Sequence, residues 1–174
     1  MEPYDTSTKV NPPLRSAGDV RAVLDGLKDG TIDCIATDHA PHADVDKNVD
    51  YDSAAFGISG FETALGVLLG LVQKGELTLP FLIERLTVRP ASVLDLPYGR
   101  LTVGSTADVT VFDPEQEWDV DPQRFFSKGK NTPLAGATLR GKVHLTLFGG
   151  RPVHVGERFQ AVLHLNSRGW VSRD

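Results

Sequence analysis

Val20, Val23, Leu24 and Leu27 recur at the i, i+3, i+4, i+7 spacing of one helix face, with Ser16 and Asp19 placed for a capping box and Gly30 for the stop. That pattern predicts a helix over residues 17–29. Directly after it, residues 32–37 form a short apolar run of the kind a buried parallel strand shows, ending at the polar cluster Asp38-His-Ala-Pro-His42. Residues 43–55, rich in aspartate and without a helical stripe, read as a solvated, mobile loop. A second helix is expected from Ser59, with Glu62 completing a capping box, Leu65, Leu68, Leu69 and Val72 on one face, and Gly75 closing it. Shorter helices are expected over residues 80–86 and 90–94.

Near residue 97 the chain changes character. Residues 99–112 turn to glycine-punctuated alternation, as in Ala107-Asp-Val-Thr-Val-Phe112. Val143, Leu145 and Leu147 alternate with His144, Thr146 and Phe148, and Gly149-Gly150 separates them from Val153 and Val155, a two-residue hairpin signature. No internal repeat or low-complexity tract interrupts this plan.

Composition narrows the function classes. The 174 residues are 40% hydrophobic and 24% charged, enough for one core or two small ones. Eighteen Lys and Arg against 23 Asp and Glu give a formal charge of -5 with no basic stripe, which argues against nucleic acid as a partner. No apolar run reaches the roughly 18 residues of a membrane span, and residues 1–10 lack the basic start and apolar centre of a signal peptide, so a cytoplasmic, membrane-free protein is expected. The single cysteine, Cys34, sits in the apolar run and reads as a buried inert thiol rather than a nucleophile.

Asp38, His39 and His42 are the leading chemical candidates, because α/β folds place their sites at the C-terminal ends of parallel strands. On their own, two histidines three apart are weak evidence for a metal, and such a cluster also reads as a loop network. His144, His154 and His164 stand at no ligand spacing and read as strand or surface residues.

Three ordered motifs add a resemblance. Lys9-Val-Asn-Pro-Pro-Leu-Arg15, Ala36-Thr-Asp-His-Ala-Pro-His42 and Phe56-Gly-Ile-Ser-Gly-Phe-Glu-Thr63 together resemble the bacterial dihydroorotase family. Pro90-Ala91, Gly104-Ser-Thr-Ala-Asp108, Ser127-Lys128, Asn131-Thr-Pro133 and Gly141-Lys-Val143 extend the likeness to about residues 4–155. Asn11, His42 and the Phe56-Gly57 pair favour dihydroorotases over the related hydantoinases and allantoinases.

The resemblance implies an α/β fold: the C-terminal part of a TIM-like (β/α)8 metal-dependent hydrolase barrel, followed by strands of a small composite β-sandwich. Residues 1–97 are then the barrel end, 98–156 the sandwich strands, and 157–174 a tail without a family counterpart. It implies a cyclic amidohydrolase that interconverts N-carbamoyl-L-aspartate and L-dihydroorotate in pyrimidine biosynthesis. By position, Asp38 matches the family's catalytic carboxylate, which also touches the metal. Asn11 and His42 match residues that orient the substrate carboxylate, and Phe56 and Gly57 match a loop pair whose backbone meets the pyrimidine ring. Asn11 also reads simply as a turn residue before Pro12-Pro13. His39 is assigned no chemistry beyond orienting its loop.

The family cofactor is a binuclear zinc centre, whose His-x-His pair and other upstream ligands have no match here, so this chain alone is not expected to complete the site or to turn over substrate. A barrel of this kind needs on the order of 250 residues. Besides the small-molecule substrate, the resemblance implies a homo-oligomer or aspartate transcarbamoylase as partner. Two alternatives stand beside the enzyme: a non-catalytic dihydroorotase-like partner of aspartate transcarbamoylase, and an allantoinase or hydantoinase fragment.

Overall fold

The computed structural model describes residues 4–160. After a 3-10 turn at Thr6–Thr8, α1 spans Ala17–Asp29. The Ser16 hydroxyl accepts from the Asp19 amide while the Asp19 carboxylate accepts from the Ser16 amide, and Gly30 ends the helix in the left-handed region at φ 88°. Leu24 and Leu27 are buried against Leu77, with Ile32, Ile35, Leu71, Val72 and Phe81 packed around them. Val20 and Val23, on the same stripe, remain exposed.

Residues 32–37 depart from the expected buried parallel strand. No ladder forms there, because a strand needs a neighbour and the described residues supply only one parallel bridge, His39 to Ile58. The segment is held instead by Arg85, whose guanidinium donates to the Asp33 carbonyl (3.1 Å) and whose own carbonyl accepts from the Ile35 amide (3.1 Å). Cys34 is half-buried rather than buried.

The 43–55 segment also differs from expectation. It contains one helical turn, α2 (Asp44–Lys47), and it folds back on a buried lysine, Lys47. α3 (Phe61–Gln73) begins two residues later than expected and has no side-chain cap of its own, since Ser59 and Glu62 are committed elsewhere. α4 (Leu79–Leu86) is capped by the Thr78 hydroxyl and α5 (Val88–Val93) follows at once.

The C-terminal part is one antiparallel sheet in the order β1 (Val109–Asp119), β2 (Thr138–Phe148), β3 (Arg151–Val155), with a 3-10 turn at Pro122–Arg124 and a short α6 (Glu157–Gln160). The β2–β3 hairpin turns at Gly149-Gly150 as the alternation predicts. β1 runs seven residues past Phe112, the last position the alternation reaches. Its ladder shifts register between Asp113 and Glu117, so that Pro114, Glu115 and Gln116 stand opposite Gly141 alone. A proline without an N–H fits a strand at such a bulge.

Among the described residues there is no second sheet, so the expected sandwich is not seen. One face of the sheet is covered by α3, brought close by glycines. A Cβ at Gly66 would lie 3.0 Å from that of Leu139, and one at Gly141 would overlap Leu69. His144 is a buried β2 residue, His154 lies in β3, and His164 lies outside the described residues. No described helix is long and apolar enough to cross a membrane.

Candidate active site

Four chain segments meet beside the N-terminus of α3: residues 9–11, 38–42, 56–60 and 127–131. The backbone joins them directly. The Gly57 amide donates to the Lys9 carbonyl (2.9 Å), Ala40 to Ile58 (2.9 Å) and Ser59 to Asn131 (2.8 Å).

His42 and the Phe56-Gly57 pair are in contact. The His42 ring donates through Nε2 to the Phe56 carbonyl (2.9 Å), which leaves Nδ1 as its free ring nitrogen. Gly57 sits at φ 149° with its α-carbon facing Ala40 and His42, and a Cβ there would lie 2.5 Å from the Ala40 carbonyl oxygen. Only glycine fits both the dihedral and the space. The Phe56 ring is more than half exposed, and the Lys9 ammonium lies 4.5 Å from its centroid.

Asp38 is exposed and adopts the left-handed conformation, φ 48°. Such a backbone costs a non-glycine residue on the order of 1 kcal/mol and is found where surrounding structure imposes it. Asn11 is exposed two residues beyond the Lys9–Gly57 hydrogen bond. The structure thus joins His42, Phe56 and Gly57 directly, while Asp38 and Asn11 lie on adjoining segments and make no hydrogen bond to that trio among the described residues.

His39 has a structural task. Its Nδ1 accepts from the amides of Gly60 (3.0 Å) and Phe61 (3.2 Å), capping α3, and its ring stacks on Phe61 at 3.8 Å. Glu62, expected in a capping box, instead accepts from the Ser127 amide (2.8 Å) and hydroxyl (2.9 Å). Burial pushes its carboxyl up, but these Ser127 bonds, with His39 adding a smaller effect, hold it below the ordinary glutamate value.

Two buried lysines and one asparagine hold the site together; Lys9 and Asn131 stand in motifs that carry the resemblance but with no role attached to them, and Lys47 stands in none. Lys9 Nζ donates to the carbonyls of Tyr51 (2.7 Å) and Asp52 (2.9 Å). Lys47 Nζ donates to Ala55 (2.8 Å), Gly57 (3.1 Å) and Lys9 (3.4 Å). Burial, and then the neighbouring Lys9 ammonium, lower the Lys47 ammonium from its ordinary value. The one available signal is its isolation as the single cation of an acidic loop. Replacing Lys47 with Met strips the Ala55 carbonyl of this donor and should cost about 2 kcal/mol. A urea midpoint unchanged from the parent would contradict that.

The resemblance implies a metal, and this site does not hold one by itself. Among the described residues no three His, Cys, Asp or Glu side chains converge. Asp38 offers a carboxylate, and His39 and His42 each keep one ring nitrogen open, but these donors do not converge with a third on a common point among the described residues.

Comparison with known proteins finds relatives over most of the chain. The amidohydrolase family model matches residues 8–153. A dihydroorotase of Anaeromyxobacter sp. (strain K) is 57% identical over 151 residues, covering 87% of this chain and 35% of that protein. A dihydroorotase of Syntrophus aciditrophicus is 54% identical over 151 residues, with the same coverage. Among solved structures, the L-hydantoinase (dihydropyrimidinase) of Arthrobacter aurescens superposes with a TM-score of 0.80 at 34% identity, over 88% of this chain and 36% of that one. The chain therefore spans about a third of the length of the curated relatives it matches. On a match that covers most of its length, the chain belongs to the amidohydrolase family.

Proposed function

We propose that this chain is the C-terminal portion of a dihydroorotase, a cyclic amidohydrolase that opens and closes the ring of L-dihydroorotate. Residues 1–97 are the end of its barrel and residues 98–156 its β subdomain. The observation that carries the reading is the coupling of His42 to Phe56-Gly57: a ring nitrogen on the Phe56 carbonyl and a glycine backbone pressed against the same loop.

In ring opening, water adds to the amide carbon, a C–O bond forms and the C–N bond breaks. Asp38 takes the proton from the attacking water and delivers it to the departing nitrogen. Its exposed position leaves it open to such a reactant. The Asn11 amide donates to the substrate carboxylate, and His42 donates beside it in the imidazolium form, which carries a proton on Nδ1 as well as on the Nε2 that bonds Phe56, while the open backbone at Gly57 admits the flat ring edge.

Metal chemistry in this family lowers the pKa of bound water. The described donors do not suffice for a metal site, so Asp38 would be at most one ligand among others supplied from beyond the described residues. Equilibrium dialysis of the 174-residue chain against micromolar zinc should leave far less than one ion per chain, and stoichiometric retention would show a site built from these residues alone.

The setting we propose is pyrimidine biosynthesis in the cytoplasm, with a second copy of the chain or aspartate transcarbamoylase as partner. A purely structural partner has no use for an aspartate kept in a costly backbone conformation beside a histidine coupled to a glycine loop. A hydantoinase is the competing enzyme, on the 34% identity to the Arthrobacter protein. The function is testable in a chimaera in which this chain replaces the matching segment of the Anaeromyxobacter dihydroorotase. The chimaera should hydrolyse L-dihydroorotate, and a folded, metal-loaded chimaera without that activity would refute the reading.

A further inference from the structure

Asn131 lies outside the three segments that carry the proposed site residues, yet its side chain touches two of them. It is 6% exposed. Its Oδ1 accepts from the His42 amide (2.9 Å) and from the Ser59 hydroxyl (2.9 Å). Its Nδ2 donates to the Gly57 carbonyl (3.0 Å), with the Ala40 carbonyl at 3.5 Å, and its own carbonyl accepts from the Ser59 amide. One amide group therefore bridges the 38–42 loop to the 56–60 loop, and does so from the segment that follows β1 and precedes β2.

Neighbouring contacts fix the asparagine in turn. Ser59 is fully buried, and its single hydroxyl proton is shared between Asn131 Oδ1 and the Gly129 carbonyl (2.8 Å). A Cβ at Gly129 would lie 2.6 Å from that of Pro41 and 2.8 Å from the His42 backbone, so the 129–131 segment is pressed against the His42 loop. Glu62 anchors Ser127 at the other end of the segment.

We infer that Asn131 is a positioning residue of the substrate site: by joining the His42 amide to the Gly57 carbonyl, it sets the spacing between the histidine and the ring-binding loop. This rests on the dihydroorotase reading above. An amide is required because one side chain must accept at one loop and donate to the other. Alanine loses both bonds, and aspartate keeps the acceptor while placing a second oxygen against the Gly57 carbonyl.

The test uses the chimaera with L-dihydroorotate. Asn131→Ala should raise KM about tenfold while kcat stays within about threefold, the pattern of lost binding rather than lost chemistry. Because Asn131 acts largely through His42, the same substitution in a His42→Ala background should raise KM by no more than about threefold further. Asn131→Asp should raise KM by an intermediate factor, and it carries the test if the alanine variant is recovered unfolded.

If His42→Ala itself leaves KM unchanged, the substrate-site reading fails and the inference with it. If His42→Ala raises KM while both Asn131 variants keep the parent KM, only the inference is overturned. The inference is likewise overturned if Asn131→Ala multiplies KM equally in both backgrounds, or lowers the melting temperature alone.

Discussion

Asp38→Ala in the chimaera should lower kcat by at least the roughly 10² to 10⁴ typical of losing a general acid or base. The fold should survive, because Asp38 is exposed and no hydrogen bond depends on it among the described residues. Asp38→Gly separates chemistry from backbone. It removes the same carboxylate but relieves the left-handed conformation at φ 48°, so kcat should fall equally while stability holds or rises by up to about 1 kcal/mol. Steady-state kinetics with a urea melt on the same samples reads both. Near-parental kcat in either variant would remove Asp38 from the chemistry.

Gly57→Ala should be the most damaging single methyl group in the site. Its Cβ would meet the Ala40 carbonyl at 2.5 Å, the Ala40 side chain at 2.7 Å and the His42 ring at 3.0 Å. Overpacking of this kind costs about 1–3 kcal/mol, and the positive φ of 149° adds strain that alanine bears poorly. The loops must separate, and the bond from His42 to the Phe56 carbonyl goes with them. KM for dihydroorotate should therefore rise at least about tenfold along with the loss of stability. A variant with parental KM and melting temperature would show that the loops are not packed as described.

Sequence patterns succeed here where the physics is local. α1 is legible from cap to stop because Ser16, Asp19 and Gly30 satisfy its ends within the helix's own neighbourhood. Ser59 and Glu62 present the same pattern and mislead, because partners some 65 to 72 positions away claim both side chains. The 32–37 run has strand composition but no paired neighbour among the described residues, and composition does not supply one. β1 runs beyond Phe112 because a bulge absorbs Pro114, which the alternation rule treats as a stop.

The site divides along the same line. Asp38, His42 and Gly57 are reachable through ordered motifs, whereas the sequence contains nothing local that would connect Asn131 to His42, 89 residues earlier, or seat Lys47 beneath Gly57. Long-range satisfaction of buried polar groups decides those positions, and it is visible only once the chain is folded.

The most direct measurement of the central claim compares two substrates in the chimaera: L-dihydroorotate, which bears a carboxylate, and dihydrouracil, the same ring without it. A site in which the Nδ1–H of a His42 imidazolium and the Asn11 amide donate to that carboxylate should favour dihydroorotate in kcat/KM by about two decades or more, the worth of one or two charge-assisted hydrogen bonds. Equal kcat/KM for the two rings, or a preference for dihydrouracil, would contradict the dihydroorotase reading and favour a hydantoinase.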